Sequence, residues 1–172
     1  MKQILFTAVV ATTFAISGTA IAQSKTLKVG NVNSDELLSL MPERKKAAEE
    51  LEKHQKDLQK QLEAMGAEYQ ALGEKLDKEA ASMTEVVKNA KIEEIKSLEE
   101  RIRKFQTSAE ESIQKKQQTL LEPIVKKAKK AVEDVAKENG YSYVVDTSQG
   151  VFIYFEQTDN ILPLVKKKLG IL

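Results

Sequence analysis

The sequence predicts a mainly α chain with a small β body (α+β): a long antiparallel helical hairpin on a small, oligomerising β-sheet. Three features point there. Between Pro42 and Pro123 about eighty residues contain no proline and few aromatics, and are rich in Glu, Lys, Gln, Leu and Ala, the composition of long helix or coiled coil. Apolar residues in that stretch recur every seven positions. Strand-like segments lie on both sides of it, so a stretch that folds back on itself brings them together.

The heptad starts with Ala48 at position a. Later a positions are Gln55, Leu62, Tyr69, Leu76 and Met83, and the d positions are Leu51, Leu58, Met65, Leu72 and Glu79. Nine of these eleven are apolar, a stripe suited to one partner helix rather than to a globular core. The second half of the same stretch supplies that partner, with Ile95, Leu98, Ile102, Phe105 and Ala109 at alternating three and four spacing. From Ile113 the phase moves by one residue and continues through Leu120 and Ile124, which alters the local winding. The reversal falls within residues 80–84, where Ser82-x-x-Glu85 forms a capping box and Thr84 offers another cap. The competing arrangement is one straight helix that dimerises as a rod.

The first 22 residues form a separate segment. Lys2 precedes an apolar run from Ile4 to Ile16, and Ala20-Ile21-Ala22 offers a small-x-small cleavage site. This is the pattern of a secretory signal peptide, so the mature chain is expected to be exported and soluble, starting near Gln23. It has no cysteine, hence no disulfide framework. Removing Lys2 from the 27 basic residues leaves 26 against 26 acidic ones. A near-neutral chain gives no electrostatic reason to bind nucleic acid.

Residues 23–42 and 123–172 make the body, and residues 43–122 the hairpin arm. Thr26 to Val32 reads as a strand, with Gly30 weakening it or marking a close approach. Asn33-x-x-Glu36 opens a short helix, and Pro42 suits the first turn of the next. Pro123 is expected to break or kink the second long helix, after which an apolar face runs from Ile124 to Val135 and Asn139-Gly140 ends it. Tyr141 to Asp146 and Val151 to Phe155 read as a β-hairpin around Thr-Ser-Gln-Gly. Thr158-Asp159 caps a last helix with Pro163 near its first turn and Gly170 at its end.

With the tip near Thr84, Pro42 and Pro123 come level and mark the base of an arm roughly 60 Å long. The body keeps about seventy residues, marginal for independent stability without disulfides or metal. It is therefore expected to oligomerise through its strands, with Leu27, Val29, Val144, Val145, Phe152, Ile153 and Tyr154 at the interface. Gly66 and Gly73 lie seven apart inside the first long helix, each costing about 1 kcal/mol against alanine. Close approach of the second helix, deliberate softness or neutral drift would explain them, and with Pro123 they are the hinge candidates. Apolar residues that two helices cannot cover near the tip, Met83, Val86, Val87, Ile92 and Tyr69, are candidates for holding an apolar partner; packing between the helices is the alternative role.

No catalytic constellation is present. The only histidine, His54, falls at heptad position g on a charged flank and reads as a solvated residue. With one histidine and no cysteine, a metal site lacks its usual ligands, and no glycine-rich phosphate loop or nucleophile elbow occurs. No cofactor, metal or enzymatic activity is expected. Lys126, Lys127, Lys129 and Lys130 form a basic cluster and Lys166 to Lys168 another; these are either solvated faces or peripheral contacts to anionic lipid.

The residues resemble the OmpH-like family of periplasmic chaperones over essentially the whole mature chain. The carriers are LKVGNVNSDELL, the base signal MPE at Met41 to Glu43, the charged hairpin, ENGYSYVVD at Glu138 to Asp146 and DNILPLVKKKLG at Asp159 to Gly170. The resemblance implies a jellyfish-like homotrimer. Strands of three chains would build the body, and three hairpins would hang as tentacles around a cavity that holds unfolded outer-membrane β-barrel proteins without ATP. The familiar member of the family is strongly basic and this chain is near neutral, so no lipopolysaccharide site carries over. The alternative function is a structural coiled-coil spacer or adaptor of the cell envelope.

Overall fold

The structure is a computed structural model that describes residues 27–171; the proposed signal peptide lies outside the described residues. In chain order the elements are β1 (Val29–Val32), α1 (Ser34–Leu40), α2 (Pro42–Glu79), a 3-10 turn (Ala80–Ser82), α3 (Glu85–Glu138), β2 (Tyr143–Asp146), a 3-10 turn (Gln157–Asp159) and α4 (Leu162–Leu169).

Local chemistry sets most of these boundaries. The Asn33 side chain accepts a hydrogen bond from the Glu36 amide and starts α1. Pro42 occupies the first turn of α2, where its missing N–H costs nothing. Thr84 caps α3 by accepting from the Val87 amide, so the cap is Thr84 and not Ser82, whose hydroxyl donates to the Glu79 carbonyl. Asn139 ends α3, followed by Gly140 at φ 71°. Gly170, at φ 69°, closes α4 in the left-handed region that glycine tolerates. At the start of α4 the cap differs from expectation. Asn160 Oδ1 accepts from the Leu162 amide, while Thr158 and Asp159 sit in the preceding 3-10 turn.

α2 and α3 run antiparallel and pack along their length. Three cross-helix contacts mark which residues lie level: Glu43 with Lys127, Glu50 with Lys116 at 3.1 Å, and His54 with Ser112 at 2.9 Å. Pro123 does not break α3, which continues as helix from Glu85 to Glu138. Ile124, immediately after the proline, is buried in the core cluster.

The expected antiparallel β-hairpin is not formed. β2 pairs in parallel with β1, in the register Val29↔Tyr143, Gly30↔Val144, Asn31↔Val145 and Val32↔Asp146. A parallel pair needs a long crossover, here the entire α1–α2–α3 segment. The Thr147–Gly150 turn does form, with the Gly150 amide donating to the Thr147 carbonyl. Val151 to Phe155 nevertheless has no strand partner among the described residues. The far side of β1 is bridged instead by Asn160, opposite Asn31.

The buried core sits at one end of the molecule. It joins Val32 of β1, Leu37 and Met41 around α1, Ala47 of α2, Ile124 to Val135 of α3, and Ile161, Leu162 and Val165 at α4. Gly30 is required by this packing. A Cβ there would lie 2.9 Å from Ile161 Cγ2 and 3.0 Å from the Tyr141 ring. Lys28 reinforces the same corner, with Nζ 4.1 Å from the Tyr141 ring centroid and donating to the Asn139 carbonyl.

Candidate functional site

Two surfaces bring candidate residues together. The first surrounds the turn between α2 and α3, far along the chain from the core. Val86 is 79% exposed and Val87 46%. They stand in the first turn of α3 because Thr84 caps the helix just before them. Met83 and Ile92 are half-buried. Tyr69, nominally a seam residue, is exposed too, but lies farther back, ten residues before the end of α2. The helix pair therefore leaves Val86, Val87 and Tyr69 uncovered, while Met83 and Ile92 divide their surface between packing and solvent.

The second surface is at the sheet. Val151, Ile153 and Tyr154 are largely exposed, and Phe152 and Phe155 partly so. With Val29, Val145 and the backbone around Asn31, the aromatic residues of this segment rim a hollow of about 320 Å³. Leu27 and Val29 are exposed at the same end. Val144 differs from these interface candidates: it packs against the core cluster, because alternate strand residues face opposite sides of the sheet. It also lines a separate, mostly apolar hollow of about 420 Å³ between Val32, Leu37, Val125 and Val132.

The seam places other residues differently from expectation. Ala47 is buried and His54 half-buried, whereas Ala48 and Gln55 are exposed. A straight helix drifts about 20° per heptad against a strict seven-residue repeat, so the facing stripe slips by about one position between the tip and the base. His54 is thus not a solvated flank residue. It lies in the seam with Nε2 2.9 Å from Ser112 Oγ. No sequence motif marks this pair; the drift of the heptad is the one signal that finds it.

Gly66 and Gly73 are half-buried, yet a Cβ at either would have nothing within 4 Å. Close approach of α3 does not explain them. The hinge candidate Pro123 lies within uninterrupted helix.

Charge on the body is largely balanced locally. Lys126 pairs with Glu122, Lys127 with Glu43 and Lys130 with Asp134. Lys168 pairs with Glu138. Hydrogen bonds from these lysines hold the carboxyls of Glu43 and Glu122 below the usual glutamate range, and Glu138 raises Lys168. Among the described residues no cluster of His, Cys, Asp or Glu is placed to hold a metal ion, and no helix is long and apolar enough to cross a membrane.

The profile of the family Outer membrane protein (OmpH-like) matches residues 28–169. No curated protein matches the sequence. Among solved structures, a candidate OmpH-like outer membrane chaperone from Caulobacter crescentus CB15 superimposes with a TM-score of 0.74 at 10% identity. The alignment covers 96% of this chain and 90% of that one.

Proposed function

The chain belongs to the OmpH-like family, and from that premise we propose that it is an ATP-independent, non-enzymatic holdase of the periplasm. It binds unfolded outer-membrane β-barrel proteins and prevents their aggregation. The observation that carries this reading is the exposure of Val86 and Val87 beside the α2–α3 turn, and of Tyr69 farther back on α2, on a helix pair whose buried core cluster lies at the other end. A surface of that kind suits many weak, reversible contacts with an unfolded chain. The half-buried thioether of Met83 adapts to irregular clients.

In this reading residues 1–22 are removed on export, residues 43–122 form the arm, and residues 23–42 with 123–172 form the body. Three bodies associate through Leu27, Val29, Val145, Phe152, Ile153 and Tyr154. The unpaired segment at Val151 to Phe155 supports this, because exposed strand-like sequence seeks a partner. Three arms around one client multiply weak contacts through effective concentration. Peripheral contact with anionic lipid has less support, since Lys126, Lys127 and Lys130 are each paired with a carboxylate.

The test is light scattering. An unfolded outer-membrane β-barrel protein is diluted from urea with and without the mature chain, in the absence of nucleotide. Suppressed scattering at stoichiometric oligomer is expected; unchanged scattering would reject the holdase reading and leave the envelope spacer.

A further inference from the structure

We infer that His54 and Ser112 form a polar clasp that ends the rigid base of the helix pair, and that splaying and bending are confined to the segment beyond it. The inference starts from where polar groups cross between α2 and α3. The crossings are Glu43 with Lys127, Glu50 with Lys116, and His54 with Ser112. All lie within the first thirteen residues of α2 and the facing part of α3. From His54 outward to the turn, no hydrogen bond or ion pair joins the two helices among the described residues.

The ion pairs out there have a different character. Glu74 with Lys78, Lys91 with Glu94, Glu93 with Lys96, Glu99 with Arg103 and Glu100 with Lys104 each stay within one helix. Pairs at that spacing stiffen a helix but do not tie it to its neighbour. Gly66 and Gly73 also lie in this outer segment with open space around them, where glycine lowers the helix's resistance to bending. Leu98 is the one deeply buried side chain there. An apolar contact of that kind is non-directional and survives small rotations.

The clasp differs in kind from the two ion pairs below it. Both of those are substantially solvent-exposed, and exposed pairs fix little. His54 and Ser112 are both half-buried in an otherwise apolar seam. Rotating or sliding one helix on the other there breaks a hydrogen bond whose distance and angle demands are narrow. The contact therefore fixes the register of the two helices, which the non-directional packing around Leu98 leaves freer.

The chain has no cysteine, so engineered pairs can be spin-labelled cleanly. One pair sits beside the clasp, Glu52→Cys with Gln114→Cys. The other is farther out, Gln70→Cys with Lys96→Cys. Labelled chain is mixed with excess unlabelled chain to suppress signals between copies. A narrow distance distribution is expected at the first pair and one at least about twofold broader at the second, as expected where local stability is low. Ser112→Thr keeps the hydroxyl and Ser112→Val keeps only the shape. The first pair should stay narrow with Thr and broaden toward the outer value with Val. Should both variants fail to fold, His54→Gln against His54→Leu makes the same comparison. Equal widths at the two positions in the unaltered chain, or identical widths for the Thr and Val variants, would overturn the inference.

Discussion

Ser34 and Asp146, 112 positions apart, are joined by two hydrogen bonds: the Ser34 amide donates to Oδ1 at 3.1 Å and its hydroxyl to Oδ2 at 2.6 Å. The Ser148 amide donates to the same carboxylate at 2.9 Å. Asp146 at the end of β2 thus caps the first turn of α1 from across the fold. Burial pushes its carboxyl up, but the bonds from Ser34 and Ser148 outweigh that and hold it below the ordinary aspartate range.

This gives a pH dependence with a defined sign. The folded-state carboxyl titrates lower than the unfolded one. Its contribution is therefore complete above the unfolded value near ~4 and fades as pH falls through the lower folded value. Asp146→Ala is expected to cost on the order of 1 kcal/mol at neutral pH, as lost caps do, and to flatten the acid limb of the denaturation curve. Urea titrations at a series of pH values check both; an unchanged acid limb would remove Asp146 from this role.

Gly30→Ala is expected to destabilise the body by about 1 to 3 kcal/mol, the usual range for overpacking. The new methyl would collide with Ile161 and Tyr141. Thermal unfolding measures it, and a neutral result would show that this corner can relax.

Gly66→Ala and Gly73→Ala are expected to do the opposite. Each should stabilise α2 by about 0.4 to 1 kcal/mol, because the space is open and alanine suits helix better. If softness is their purpose, the double variant should melt higher yet hold an unfolded client less well. Higher stability with undiminished holding would make the two glycines neutral.

Ile153→Asp with Tyr154→Asp is expected to lower the assembled mass toward that of one chain while far-ultraviolet helicity is kept. Both side chains are exposed in the described chain, so their replacement costs the single chain little. Light scattering after size exclusion gives the mass; an unchanged assembly would place the interface elsewhere.

Short-range rules carried most of the helical reading. Asn33, Pro42, Thr84, Asn139 and Gly170 stand where cap chemistry puts them, because each acts on backbone groups a few residues away. The reading failed where partners are distant. Val151 to Phe155 has strand-forming side chains, but β-pairing needs a second backbone, and the single chain spends its parallel edge on β1 and β2. A strict seven-residue count puts His54 on the flank because it ignores the drift of a 3.6-residue helix. Pro123 carries a real local penalty, outweighed by packing along a long helix. At the candidate surfaces, Val86 and Val87 could be named from sequence as apolar residues near a turn. Their exposure could not, since it depends on how closely α2 approaches them.

Sedimentation of the mature chain with an unfolded outer-membrane β-barrel protein, without nucleotide, tests the central proposal most directly. A soluble complex is expected, heavier than the free oligomer and holding the client in aggregate-free form, with less client retained by a Val86→Asp, Val87→Asp variant. A client that pellets alone, while the chain sediments unchanged, would contradict it.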